Sequence, residues 1–242
     1  MGTRLYSVVI DCGDHVAQAR WWAQTLRWTV VHVDDHEAAV EPSSASPHDL
    51  ALVFVPVPEP KHGKNRIHLD LGSPTAQAHR DLVDQAQARG ASAVDIGQKE
   101  VSWTVLADPE GNEFCVLAPD RRVEEPGALA AIVVDARRPA PLARFWAEAG
   151  GWRISCESHL VARLRHPERR RPTMDLVAVA DPTSGKNRVH LDVAPDIDGE
   201  QRAEVERLVR LGARPVDIGQ GDASWVVLAD PEDNEFCVLS PR

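Results

Sequence analysis

A histidine and an aspartate two positions apart occur twice in this sequence, as His68 and Asp70 in "KNRIHLD" and as His190 and Asp192 in "KNRVHLD". Alternate residues of a strand lie on the same face, so each aspartate can orient the histidine beside it. Such an imidazole can act as a general base or hydrogen-bond a ligand. The alternative is a hydrogen-bonded histidine in a half-buried sheet. Both interpretations stay open, and the repetition makes these four residues our candidate catalytic groups.

A cysteine is repeated in the same way, as Cys115 in "LADPEGNEFCVL" and Cys237 in "LADPEDNEFCVL". A reactive thiol needs a base or a cation nearby to lower its pKa, and the repeated histidine could supply one. The competing interpretation is a small apolar core residue, which is the commoner role of a buried cysteine. Cys12 and Cys156 have no counterpart in the other half. We expect free thiols rather than disulfides.

Two tryptophans, Trp103 and Trp225, are also repeated. Counting along the strands places them on the same side of the sheet as the cysteines. They could stack on a planar ligand or pack in the core, and the sequence does not separate these roles.

The strands and helices that position these residues are predicted to form a nested repeat. Each half of the chain shows the pattern strand, helix, three strands twice, so the whole chain carries four such modules. We predict an N-terminal domain over residues 1–119, a linker over 120–127 and a C-terminal domain over 128–242. In residues 66–71 apolar and ionisable side chains alternate, which predicts one face packed under a helix and one presenting His68 and Asp70.

Local signals place several boundaries. Asp14 is predicted to cap a first helix that runs to about Leu26, and Ser73 to cap the second helix, with Pro74 at its first position. A strand is predicted near "AVDI", at residues 93–96. In the repeated turn, Gly111 is expected to adopt positive φ, and Asp233 can substitute for it.

Composition excludes several classes of protein. With 43% apolar and 26% charged residues the chain is predicted to fold, and no apolar run reaches the ~20 residues of a membrane span. A formal net charge of −10 argues against a nucleic-acid partner. The basic run at residues 165–172 is interpreted as a solvated loop. The N-terminus lacks a signal-type apolar stretch, so we expect a cytoplasmic protein.

The sequence resembles the vicinal oxygen chelate superfamily, the glyoxalase, bleomycin-resistance and extradiol-dioxygenase group, and in particular its actinobacterial glyoxalase-like branch. The resemblance rests on the aromatic pairs Trp21-Trp22 and Phe145-Trp146, on the two "KNR-HLD" strands and on the two "ADPE-NEFCVL" segments. It implies an α+β fold of two tandem domains. Each domain would be a pair of βαβββ modules with curved mixed sheets closing around a cavity.

The resemblance also implies where a metal would bind, on the first and last strands of each module. His68 and His190 fill the histidine place, but the glutamate expected seven residues after the turn aspartate is replaced by Cys115 or Cys237. The first strand of the other modules should add a ligand near Ser7 or Ala131. The strand before the "KNR" turn should add a fourth, but residues 53–55 and 176–179 are apolar.

We therefore predict no metal cofactor. If an ion binds, it should be a soft one such as zinc, held by His68, Cys115, His190 and Cys237. The expected ligand-binding residues are Ser7, Trp103, Cys115, Trp225 and Cys237.

The predicted function is binding of a small organic molecule in the sheet cavity, of the drug or natural-product resistance type. The alternative is a glyoxalase-like lyase or isomerase, or a hydrolase, that uses a cavity histidine as general base, with or without a soft divalent metal. The predicted partner is a small-molecule ligand, with no nucleic acid and no membrane. The chain is expected to be a monomer or a homodimer.

Overall fold

A computed structural model describes residues 2–43, 50–121, 123, 126–168, 172–180, 182 and 185–242 of the chain. Parts of the predicted linker and of the basic run lie outside these residues. The predicted α+β class is confirmed, with four helices and two eight-stranded mixed sheets among the described residues.

The predicted order of strand, helix and three strands occurs four times. Module 1 contains β1 (Thr3–Cys12), α1 (His15–Leu26), β2 (Trp28–Val33), β3 (Ala38–Pro42) and β4 (Ala51–Pro56). Module 2 contains β5 (Ile67–Gly72), α2 (Ala76–Ala88), β6 (Ser92–Ala93), β7 (Thr104–Ala107) and β8 (Glu113–Val116). Module 3 contains β9 (Ala128–Ala136), α3 (Pro139–Gly150), β10 (Arg153–Glu157), β11 (Val161–Arg165) and β12 (Thr173–Ala178). Module 4 contains β13 (Val189–Pro195), α4 (Gln201–Arg210), β14 (Arg214–Pro215), β15 (Val226–Ala229) and β16 (Glu235–Val238).

The two sheets do not follow the boundary between the repeats. Sheet 1 has the strand order β14-β15-β16-β13-β1-β4-β3-β2 and so joins module 4 to module 1. Sheet 2 has the order β10-β11-β12-β9-β5-β8-β7-β6 and joins module 3 to module 2. Each sheet stays open at its two edge strands. Antiparallel pairs of first strands, β1 with β13 and β5 with β9, make the junctions.

The capping residues predicted from the sequence are right for α1 and wrong for α2. Asp14 caps α1 as predicted, and its side chain accepts a hydrogen bond from the Ala17 backbone amide. The predicted cap of α2 is wrong, because Thr75 rather than Ser73 accepts from the first turn, through the Ala78 amide at 3.1 Å. Thr75 offers an equivalent hydroxyl two residues later, and the helix begins only after it.

The predicted strand at residues 93–96 is mostly a turn. Ser92 and Ala93 pair with β7, the Val94 amide adds a 3.4 Å bond to the Val105 oxygen, and the next amides bond to side chains of nearby residues. The Asp95 carboxylate accepts from the Gly97 amide at 2.8 Å, and the Gln98 side chain accepts from the Ile96 amide at 2.7 Å. Such local side-chain bonds compete with strand pairing.

The core lies on the helix side of both sheets. It includes alternate residues of the central strands, such as Ile67, Leu69 and Leu71 in β5, together with Trp22 of α1 and Trp146 of α3. The opposite side of each sheet is called the open face below. His68 and Asp70 of β5 alternate with the core residues and therefore lie on the open face, as predicted.

Candidate functional site

Each open face carries a cluster of one histidine, one aspartate and one cysteine that is repeated in the other sheet. The His68 triad consists of His68 and Asp70 on β5 and Cys115 on β8, with Asp70 directly opposite Cys115 in the strand register. The His190 triad consists of the equivalent residues of β13 and β16, His190, Asp192 and Cys237. Within each triad one nitrogen, one oxygen and one sulfur atom lie within 4.8 Å of one another. The structure thus brings together the repeated residues that the sequence singled out.

The triads are buried but not saturated with hydrogen bonds. His68 Nε2 lies 3.5 Å from Asp70 Oδ1, and His190 Nε2 lies 3.8 Å from Asp192 Oδ1. These are ion-pair distances without hydrogen-bond geometry, since neither Oδ1 atom has a hydrogen-bond partner among the described residues. The Nδ1 atom of His68 has none there either. Unsatisfied buried polar groups cost free energy, and they are the atoms that a bound molecule could satisfy.

Burial moves the protonation equilibria of the His68 triad in opposite directions. Burial and, to a smaller extent, the nearby Lys64 cation together lower the pKa of His68 to about 3. Burial raises the pKa of Asp70 to about 7, although a hydrogen bond from the Cys115 thiol opposes the shift. Near neutral pH, His68 is therefore uncharged, whereas Asp70 exchanges a proton. The carboxyl is the better-matched acid or base of the two.

The thiols are held in the protonated form. Burial raises the pKa of Cys115 and of Cys237, and the adjacent carboxylates of Asp70 and Asp192 raise it further. This arrangement opposes a nucleophilic role, which requires a lowered thiol pKa.

The first strand of the paired module, from the other half of the chain, lies beside each triad. Ser7 of β1 lies opposite Asp192 and donates a hydrogen bond of 2.9 Å from Oγ to Asp192 Oδ2. Ala131 of β9 lies opposite Asp70 in the same register. The predicted ligand-binding residue Ser7 therefore joins the His190 triad of module 4, and Ala131 offers no equivalent group.

Sequence reasoning missed one side chain of the site, because it lies one residue before the positions expected for a fourth ligand. Residues 176–179 are apolar, whereas Asp175 lies in one row of paired residues with Val133 and His68. Arg163 donates a 2.7 Å bond from Nε to Asp175 Oδ1 and a second bond from Nη2 to Oδ2. The equivalent position in sheet 1 is Val53, in a row with Val9 and His190.

The two predicted tryptophans are surface groups rather than core residues. Trp103 is 40% exposed and Trp225 is 42% exposed. Trp103 lines an open cavity of about 790 Å³, together with Gln98, Lys99 and Val105. Val105 lies opposite Cys115 in the strand register, so this cavity adjoins the His68 triad.

The "KNR" segments serve mainly to join the modules. Lys64 forms an ion pair with Asp135, and Arg66 donates to the backbone oxygen of Glu232 at 2.9 Å. Lys61 forms a 2.8 Å ion pair with Glu113, whose other oxygen accepts from the Asn65 amide at 3.1 Å. Glu113, at the start of β8, is therefore buried in this junction and does not join the His68 triad.

The donor set of the triads does not fit the hard divalent ions that act as Lewis acids in this superfamily. Such ions need several oxygen or nitrogen ligands, whereas the two places considered from the sequence hold a thiol and either Ser7 or Ala131. The set does fit a softer ion. An imidazole, a carboxylate and a thiolate with one open position form a zinc-type arrangement, and the unsatisfied Oδ1 atoms of Asp70 and Asp192 are available to it.

Comparison with known proteins gives the same fold from independent sources. A family model described as a glyoxalase-like domain matches residues 7–117 and again residues 131–239. No curated protein sequence matches significantly. Among solved structures, glyoxalase I from Zea mays superposes with a TM-score of 0.65 at 13% identity, covering 99% of this chain and 92% of that one. The cppA protein from Streptococcus pneumoniae gives a TM-score of 0.51 at 10% identity, covering 98% of each chain.

Proposed function

Because the chain belongs to the glyoxalase-like family of the vicinal oxygen chelate superfamily, we propose that it binds small organic molecules on the open faces of its sheets, without the hard divalent metal of many relatives. The ligand would be a drug or a natural product. The observation that carries the proposal is the cavity of about 790 Å³ lined by Trp103 beside the His68 triad.

The chemistry of this region suits recognition of an organic ligand. The Trp103 ring is 40% exposed and can stack on a planar group. The side chains of His68 and Asp70, each 12% exposed, can hydrogen-bond polar atoms of the ligand. A pocket with an aromatic wall and a few placed polar groups is typical of small-molecule sites.

A thermal-shift screen of natural products against the purified protein tests this proposal. We expect hits whose affinity falls in Trp103→Ala and in Cys115→Ala, and is unchanged in Ile197→Ala, a control at a side chain that is 72% exposed. Unchanged affinity in Trp103→Ala, or a screen without hits, would overturn the proposal. Location in the cytoplasm, a monomeric or dimeric state and the absence of nucleic-acid partners remain predictions. Among the described residues, no helix has the length and apolar character needed to cross a membrane.

A second candidate function is enzymatic, and the pKa of Asp70 favours it. A carboxyl with a pKa of about 7 beside a cavity can both accept and donate a proton near neutral pH. In this mechanism Asp70 moves the proton, and neutral His68 holds a substrate oxygen or nitrogen by a hydrogen bond. The sequence favoured the histidine as the base, but the low pKa of His68 in the structure favours the Asp70 carboxyl instead. A zinc ion held by His68, Asp70 and Cys115 would polarise a substrate oxygen.

Two measurements separate the candidates. An Asp70→Asn, Asp192→Asn double variant of an enzyme should keep ligand binding and lose turnover, whereas a binding protein shows no turnover to lose. Metal analysis of protein purified without chelator reports ions per chain. One or two tightly held zinc ions would contradict the metal-free proposal and favour the enzyme.

A further inference from the structure

The internal duplication provides a comparison of the two open faces, because equivalent strands put different side chains beside equivalent triads. In sheet 2, the row that contains His68 continues through Val133 and Asp175 to Arg163. In sheet 1, the row that contains His190 continues through Val9, Val53 and Ala39. The same positions therefore carry an ion pair in one sheet and two alkyl side chains in the other.

The next row repeats the contrast. In sheet 2, Thr173 pairs with Arg165, and Arg165 pairs with Arg153 of the edge strand. In sheet 1, the position of Arg165 is taken by Glu41, which pairs with Thr29. Arg153 and Arg165 form no ion pair with any residue that the structure describes. This part of sheet 2 carries an excess of positive charge, and the equivalent part of sheet 1 carries a carboxylate and no arginine.

The fold does not require these charges. Sheet 1 forms the same four strands with Ala39 and Val53, so an apolar pair suffices. A partly buried ion pair gives little net stability, and two like charges directly opposite each other, Arg153 and Arg165, destabilise a sheet. The charges in sheet 2 are therefore better explained by what the open face binds than by how it folds.

The free hydrogen-bonding capacity points to an anion rather than a cation. Both oxygens of Asp175 are occupied, Oδ1 by Arg163 Nε and by Thr173 Oγ1 at 3.0 Å, and Oδ2 by Arg163 Nη2. Arg163 retains Nη1, which donates to no described residue, and its side chain is 42% exposed. A guanidinium held rigidly by a carboxylate is a preorganised donor to a carboxylate or phosphate.

We propose that the open face of sheet 2 binds small organic anions, carboxylates or phosphates, through Arg163 and Arg165. The inference rests on the proposed binding function and assigns a ligand class to this face. Sheet 1 places its own arginines elsewhere, because Arg4 and Arg242 lie over the Tyr6 ring, at 5.2 and 5.3 Å from its centre. Ser7, beside the His190 triad, already donates to Asp192.

Titration calorimetry with 2-naphthoate and its uncharged analogue 2-naphthamide tests this assignment. The wild-type chain should bind one equivalent of 2-naphthoate more tightly than the amide, with affinity that falls as salt is added. Arg163→Ala combined with Asp175→Val reproduces the pair found in sheet 1 and leaves the net charge unchanged. It should weaken 2-naphthoate about tenfold or more, the usual value of a hydrogen bond to a charged group, and leave the amide unaffected.

Two further variants test the role of Arg165. Arg165→Met should also weaken 2-naphthoate, whereas Arg202→Met, which removes the same charge from a side chain that is 91% exposed on α4, should not. Equal affinity of wild type for both probes, or unchanged 2-naphthoate binding in both sheet 2 variants, overturns the assignment while the proposed binding function stands. Absence of 2-naphthoate binding to wild type also overturns it. The thermal-shift screen of neutral and charged compounds then decides the binding function separately.

Discussion

At the scale of single residues, burial rather than side-chain identity sets the chemistry of the triads. A histidine and an aspartate that would both be charged at mild acidity in water are shifted in opposite directions, to pKa values of about 3 for His68 and about 7 for Asp70. Desolvation disfavours the charged form of each group. Attraction between the two charges does not offset this cost, because His68 Nε2 and Asp70 Oδ1 lie 3.5 Å apart without a hydrogen bond. Between the two pKa values, of about 3 and about 7, the pair is therefore largely uncharged.

These shifts predict a pH dependence of folding stability. The pKa of Asp70 is raised in the folded state, so its contribution is present below its unfolded pKa of 3.8 and is lost as pH rises through about 7. His68 acts in the opposite sense over an overlapping range, because its pKa is lowered. Asp70→Asn should therefore become progressively more stable than wild type between about pH 4 and 7. Urea unfolding in the presence of chelator measures the difference, and a constant difference across this range contradicts the prediction.

The exposed Asp84 of α2 offers a matched control. Asp84→Asn removes the same charge from the surface, and its stability difference from wild type should change little over the same pH range.

The thiols should differ in reactivity by environment. Cys156 is exposed, whereas Cys12, Cys115 and Cys237 are buried. Burial and nearby carboxylates also raise the pKa of Cys12, to about 12. A thiol-specific disulfide reagent should therefore label one cysteine rapidly in the native chain and all four after denaturation. Rapid labelling of native Cys156→Ser would contradict the prediction, because it would show that one of the three buried thiols is reactive.

At the scale of elements, the repeated "ADPE-N" turn is anchored by the aromatic helix residue in front of it. Asp108 Oδ2 accepts from the Trp22 indole at 3.1 Å and from the Gln18 amide at 2.9 Å, and Oδ1 accepts from the Asn112 backbone amide at 2.9 Å. In the second copy the Trp146 indole donates to Asp230 at 3.0 Å. The paired sequence motifs are therefore one structural unit that joins α1 to the turn before β8.

Removing this acceptor should destabilise the fold. Asp108→Ala leaves two or more buried donors unsatisfied, and each costs about 1–3 kcal/mol. We expect a lower free energy of unfolding in urea by about 2 kcal/mol or more. Asp84→Ala, at an exposed site of the neighbouring helix, should change it by less than about 0.5 kcal/mol. Similar losses in the two variants would refute the anchoring role.

At the scale of the whole molecule, each sheet needs both repeats. Sheet 1 combines the first and last modules, and sheet 2 combines the two middle ones. Arginines near the junctions add contacts across the repeats, because Arg66 donates to Glu232 and Arg188 donates to Glu110 at 3.1 Å. The repeats are tandem in sequence, but each of their candidate sites draws on both.

This pairing predicts how the halves behave when separated. A fragment of residues 1–119 has two modules whose partners are missing, so it should dimerise with itself or remain unfolded. Mixed with residues 120–242, it should form a one-to-one complex with restored circular dichroism. Light scattering after size exclusion measures the masses. A stable folded monomer of either fragment would show that the modules within a repeat can pair with each other.

The sequence by itself determined what local patterns and spacing control. The four modules, the open-face position of His68 and Asp70, the Asp14 cap and the positive φ of Gly111 and Asp233 all follow from the order of residues along one strand, helix or turn. Membership of the superfamily also follows, since its motifs are contiguous. The members of each triad could also be identified from the sequence, because each triad lies within a single module.

Only the tertiary structure decided which module faces which. First strands can pair within a repeat or across repeats with the same hydrogen bonds, so local sequence does not distinguish the two arrangements. The placement of Ser7 beside Asp192, and of Asp175 and Arg163 in the same row as His68, depends on that choice. The pKa shifts of His68 and Asp70 likewise arise from burial by residues distant in the sequence.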